Sequence, residues 1–188
     1  MNKNEIIMKS KRLIVAFLML FPWIPKASFA ELPPVPVVRF PFDVSKQHII
    51  VNQEFRIRNN RSYVFAIRFD YSGPTDERRV FALVGDGSSK DPGISIPIHI
   101  KILKLDAGNL PPEIIYENTI TTEHYYAHGF ERKQTDGNFN REITTIDLKP
   151  GIFRIEASTI KESPEFSGTP SYLKIDYYSK LRFVPNNK

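Results

Sequence analysis

The chain has 188 residues, no cysteine, and 26 Lys+Arg against 21 Asp+Glu, a net charge of +5. Without cysteine there is neither a disulfide framework nor a thiolate metal site, so stability has to come from burial. The basic balance would otherwise point to nucleic acid, but it sits in the first thirty residues. Those carry Lys3, Lys9, Lys11, Arg12 and Lys26 against Glu5, which leaves 21 basic and 20 acidic side chains, a net of +1, in residues 31–188. The charge argument for a nucleic-acid partner fails, and none is expected.

The amino-terminal segment has the three-part layout of a secretory signal peptide. Its basic stretch precedes Leu13–Ile24, a twelve-residue apolar run interrupted only by Pro22. Ser28 and Ala30 then place small residues at the two positions a signal peptidase reads. Spanning a bilayer takes about 20 apolar residues, so this run is too short to anchor the chain, and no cysteine follows it to carry lipid. The expectation is a leader over 1–30, cleaved near Ala30, and a soluble periplasmic chain with no stable membrane anchor. The remaining 158 residues suffice for one hydrophobic core.

Residues 31–45 open that chain as an extended proline-rich arm, with Pro33, Pro34, Pro36 and Pro41 blocking helix. The main domain is expected over 46–180. Ile49–Val51 and Phe55–Arg58 read as a first strand with a break near Asn52, and Asn59–Arg61 as the turn after it. Ser62–Tyr71 is the clearest strand: Tyr63, Phe65, Ile67, Phe69 and Tyr71 share one face at period two. Asp76–Val84 reads as a short helix, capped by Thr75 or Asp76, docked through Val80, Phe81 and Val84, and ended by Gly85.

Ile94–Leu105 alternates again, with Ile94, Ile96, Ile98, Ile100 and Ile102 on one side. Pro97 cannot donate a ladder hydrogen bond, which makes this strand an edge, or bulged there, and able to accept an added strand. Residues 113–121 and 142–148 read as strands. Ile152–Ile160 follows a Pro150-Gly151 turn, with Phe153, Ile155 and Ala157 inward. Ser171–Tyr178 closes the set, and 181–188 reads as a frayed tail. The fold class is all-β: an immunoglobulin-like antiparallel sandwich of seven or eight strands with one short helix. A closed barrel is the alternative.

Catalytic patterns are missing: there is no nucleophile elbow, no Ser-x-x-Lys at a helix start and no phosphate-binding glycine loop. One constellation carries chemistry, His124-Tyr125-Tyr126-Ala127-His128 with Glu131. Histidines four apart share a helix face and can chelate one metal. On a strand they would lie about 13 Å apart, at about 3.3 Å per residue, and could not. The preceding Thr119–Thr122 favours strand or loop and Gly129 stops a helix after one turn, so no metal or other cofactor is expected. Tyr125, Tyr126, His128, Phe130, Arg132 and Lys133 instead fall in a long connection between strands. Tyr and Arg on sandwich loops anchor protein interfaces. Tyr125 and Phe130 equally fit as plugs for the open end of the sandwich.

Several stretches carry a resemblance: Phe65–Phe69, the Arg79–Gly85 helix end, Pro92–Ile94, Ile143–Arg154 and Ser163–Pro170. Together they are similar to a family of small exported bacterial proteins known as a domain of unknown function, over most of residues 45–178. These motifs are turns and core positions, so the resemblance implies the sandwich and carries no catalytic residue. The reading is a non-catalytic periplasmic binding module with a protein partner in the cell envelope, in its concrete form an immunity protein against an envelope-targeted toxin. A glycan or small-ligand binder and a metal-dependent enzyme built on His124 and His128 are the alternatives.

Overall fold

The structure, a computed structural model, describes residues 32, 34–86, 91–105, 111–122, 127–130 (as backbone) and 136–177. Every element below lies within Pro33–Lys188. The leader, the 181–188 tail and part of the His124–Lys133 segment fall outside the described residues. In chain order the elements are β1 (Val38–Pro41), β2 (Ile50–Ile57), β3 (Arg61–Ser72), α1 (Gly73–Val84), β4 (Ile96–Leu105), β5 (Glu113–Thr122), β6 (Ala127–Phe130), β7 (Asp136–Leu148), β8 (Gly151–Thr159) and β9 (Ser171–Tyr177), with a 3-10 turn at Pro164–Phe166.

Two antiparallel sheets pack face to face, and they do not close into a barrel. One runs β1-β9-β3-β7-β6 and the other β2-β8-β4-β5. The alternation read from the sequence is what fills the space between them. Tyr63, Phe65, Ile67, Phe69 and Tyr71 of β3 and Ile96, Ile98, Ile100 and Ile102 of β4 are all buried. Phe55 stacks on Phe153 at 5.7 Å and meets the edge of Phe65 at 6.1 Å. A fully buried Phe or Ile of this kind contributes roughly 1.5–3 kcal/mol. Helix α1 adds Val80 and Val84 to the same core, while Phe81 stays partly exposed and leans on Phe139 at 5.8 Å.

The structure corrects the expected elements in six places. β2 runs unbroken through Asn52, which pairs with Glu156 on the sheet's outer side and interrupts nothing. β4 is an interior strand between β8 and β5 rather than an edge, and its bulge lies at Ile102/Leu103 rather than at Pro97. Pro97 is tolerated because its backbone faces the point where β8 leaves the sheet: the first β4–β8 pair is Ile98 with Thr159, and Pro97 O accepts from Ile160 N at 3.0 Å. β7 begins at Asp136, so Gly137, Asn138 and Asn140 belong to a strand and not to a loop. Ala127–Phe130 forms β6 on its flank, pairing His128 with Phe139 and Phe130 with Gly137. α1 starts at Gly73; neither Thr75 nor Asp76 caps it, and Asp76 reaches back to the N–H of Ser72 at 2.9 Å. With β1 formed inside the proline-rich arm, the described residues hold nine strands rather than seven or eight.

The sandwich has two unlike poles. At one, the chain turns tightly, through 58–60 and 149–150, beside the end of β4 and the start of β5. At the other collect the connection 42–49, α1 with the described residues 85–86 and 91–95, and 160–170, beside the end of β5 and the start of β7. The second is called the helix pole below.

Candidate functional site

The helix pole is organised around Arg141 of β7. Its position in the register, opposite Ile67, turns the side chain into the sandwich, where it is fully buried. Its guanidinium donates to five backbone carbonyls: Leu83 O at 2.9 Å, Val84 O at 3.3 Å, Pro92 O at 3.4 Å, Thr122 O at 3.4 Å, and Ile94 O. Two of these carbonyls end α1, where the last turn lacks intrahelical partners and the helix dipole favours a cation. The others belong to the turn before β4 and to the end of β5. One side chain therefore ties three connections together.

The close approach requires glycine. Gly93 has φ +67°, and a Cβ there would stand 2.5 Å from Arg141 Nη2, Gly85 N and Leu83 O. Gly85, at φ +82°, would meet Asp91 O at 2.5 Å. The backbone closes over both, with Gly85 N donating to Phe81 O at 2.9 Å and Ile94 N to Leu83 O at 2.8 Å.

A second set of bonds ties the 160–170 connection into the same pole. Arg79 of α1 donates to Thr169 Oγ1 at 2.9 Å and pairs with Asp76 at 2.8 Å. Phe166 stacks on Phe69 at 4.8 Å, and the Arg141 guanidinium lies 5.9 Å from the Phe166 ring centre. Ser163 N donates to Val44 O at 3.2 Å, which joins this connection to 42–49. An open cleft of about 430 Å³ runs between them, lined by Pro41, Phe42, Asp43, Thr169, Pro170 and Tyr172 among others. Lys46, and then Ser45, hold the Asp43 carboxyl below the usual carboxylate range. Beside the cleft, on the outer side of the five-stranded sheet, Arg68 bonds Asp70, and Asn140 Nδ2 donates to Asn138 Oδ1 at 2.7 Å.

Of the residues picked from the sequence, His124, Tyr125, Tyr126, Glu131, Arg132 and Lys133 lie outside the described residues. His128 and Phe130 are placed as backbone, both in the extended strand β6. Among the described residues no three His, Asp or Glu side chains gather as metal ligands, and no helix is long and apolar enough to cross a membrane. Sequence reasoning missed Arg141, Arg79 and Gly93. The only signal for them was indirect: a short helix ending at Gly85 leaves carbonyls that need donors, and nothing in the sequence says which strand supplies one.

A family profile described as a domain of unknown function, DUF5625, matches residues 39–177. No curated protein matches. Among solved structures, the crystal structure of GEBA250068378 from Sulfurospirillum deleyianum is similar over 76% of this chain and 97% of that one, at 21% identity and a TM-score of 0.62. At that identity the likeness shows the fold.

Proposed function

We propose that this chain, which belongs to the DUF5625 family, is a non-catalytic protein-binding module of the cell envelope that holds its partner at the helix pole. The observation that carries this is the Arg141 latch. It binds the end of α1, the turn at Pro92–Ile94 and the end of β5 into one body. Thr122, whose carbonyl it holds, leads in sequence into Tyr125, Tyr126, His128, Phe130 and Arg132. Binding residues carried on connections that a rigid scaffold positions lose less freedom on association. The secretory layout of residues 1–30 supports the envelope location, and an envelope-acting toxin is the partner that would make the chain an immunity protein.

Export is tested by the mass of the chain recovered from the periplasmic fraction. A species beginning near Glu31 is expected, and a full-length cytoplasmic species would sink the envelope reading. The binding pole is tested by partner capture from envelope extract. Tyr125→Ala combined with Arg132→Ala should abolish capture, and Lys149→Ala at the opposite pole should leave it intact. Equal effects at both poles would remove the assignment. A small-ligand reading is favoured by the cleft beside Tyr172 alone, and a flat thermal-shift screen against envelope sugars would discard it.

A further inference from the structure

We propose that β5 is a self-pairing edge, through which two copies of this chain join antiparallel about Asn118, over Tyr116–Ile120, and merge their four-stranded sheets into one. This goes beyond the binding role above and does not rest on it.

The four sheet edges are protected unequally. β1 is four residues long and carries Arg39 and Pro41. β2 is approached by the arm before β1, since Arg56 N donates to Pro34 O at 2.7 Å. β6 is also only four residues long. β5 runs ten residues at the end of its sheet and contains no Lys, Arg or Pro; its charges are Glu113 and Glu117, and its Thr119 N–H donates to Asn118 Oδ1 at 2.8 Å, a local bond that a further strand would replace. Among the described residues no strand pairs with its outward edge. The irregularity at Ile102/Leu103 disturbs only its beginning and leaves Tyr116–Thr122 in unbroken register with β4. Ile115, Tyr116 and Ile120 touch the core but remain half-buried, and Ile114 is 54% exposed.

The occupant follows from the order of side chains along the strand. A two-fold axis at Asn118 sets Tyr116 of each copy opposite Ile120 of the other. Both residues lie on the core-facing side, where they pair with Ile102 and Ile98 of β4. Aromatic–β-branched pairs of this kind stabilise antiparallel strands, and the symmetry provides two. The same axis sets Glu117 opposite Thr119, so carboxylates never face one another. Within its own copy Glu117 lies 3.6 Å from Lys101 Nζ and 3.4 Å from His99 Nε2. A foreign strand would match this spacing only by coincidence, whereas a second copy matches it by construction.

The test is sedimentation of the full chain, purified as the cell processes it, from about 1 to about 500 µM, where mass action reveals a weak dimer. A concentration-dependent dimer is expected, and Thr119→Pro should abolish it with the β-sheet circular dichroism unchanged. A charge pair decides the matter even if the proline variant misfolds. Thr119→Glu, facing the other copy's Glu117, should weaken the dimer about tenfold, and Thr119→Lys should tighten it several-fold. A chain that stays monomeric at the highest concentration overturns the proposal, whether or not it captures a foreign strand. So does a dimer whose strength both charge variants move in the same direction or leave alone.

Discussion

The two poles of the sandwich are held by different physics, and β3 shows the contrast because it touches both. At its beginning, Tyr63 is packed on Tyr177 at 5.6 Å and its hydroxyl donates to Asn59 O at 2.8 Å, holding the 58–60 turn. Arg61 lies over the Tyr177 ring at 4.5 Å, and Phe55, Phe65 and Phe153 form an aromatic cluster between the sheets. The described turns here, 58–60 and 149–150, are short, and apolar packing does the rest. At the other end of β3, longer connections bring backbone carbonyls into the interior, one of which, Leu83 O, also accepts from Ile94 N at 2.8 Å. Arg141 supplies donors to five of them, from a strand whose sequence does not announce it. Short turns let packing suffice; long connections need a shared polar partner.

Two substitutions should separate these regimes most strongly. Phe55→Ala leaves a cavity between the sheets and is expected to cost about 4 kcal/mol. Its effect should spread over the whole domain, because the cluster joins both sheets. Arg141→Met keeps the unbranched stem of the side chain and removes every donor, stranding buried carbonyls at an expected cost of about 3 kcal/mol. Urea unfolding measures both totals, and amide exchange tells them apart. In Arg141→Met the amides of Gly85 and Ile94 should lose protection while those of the aromatic cluster keep theirs. Uniform loss across both poles would break the distinction.

Gly93→Ala sharpens the same contrast at a smaller scale, at roughly 2 kcal/mol. The position combines a left-handed backbone with a Cβ 2.5 Å from Arg141 Nη2. Gly168 has φ +76° but nothing within 4 Å of a Cβ, so Gly168→Ala carries only the backbone part. A difference between the two melting midpoints reads the steric contribution of the latch, and equal midpoints would show that the latch is not tightly packed.

The latch also marks where the sequence stopped being informative. β3 and β4 were legible because one face alternates apolar residues without exception and the period alone identifies a strand. The first half of β7, Asp-Gly-Asn-Phe-Asn-Arg, carries the residues that ordinarily mark turns. It is a strand because its polar positions meet other polar positions: Asn138 and Asn140 face Asp70 and Arg68 across the β3 ladder. Arg141 meets carbonyls that only the assembled pole creates. Pro97 was misleading for a related reason: Ile160, just past the end of β8, still lies opposite it, and the Ile160 carbonyl that the missing N–H would have met accepts from Gln47 Nε2 at 2.9 Å instead. Local chemistry revealed the elements that bury apolar faces and hid those whose partners are polar and distant in sequence. The helix pole, the candidate site, is built almost wholly from the second kind.

The smallest expected effect concerns the tyrosines at the two ends of β3. Burial, followed by the charge of Glu77, pushes the Tyr71 phenol up to about 12, and burial followed by Tyr177 raises that of Tyr63. Folding thus favours the protonated phenol at both poles. The associated stability is complete below pH 10, the ordinary tyrosine value. For Tyr71 it is lost progressively as pH climbs from 10 toward about 12. At neutral pH, Tyr71→Phe removes the 3.4 Å hydrogen bond to Glu77 and should change stability by about 1 kcal/mol or less. The variant's urea midpoint should nevertheless fall less steeply than the parent's between pH 10 and pH 12. Parallel curves would mean that Tyr71 ionises freely in the folded chain, and that the helix pole is more open to solvent than its packing implies.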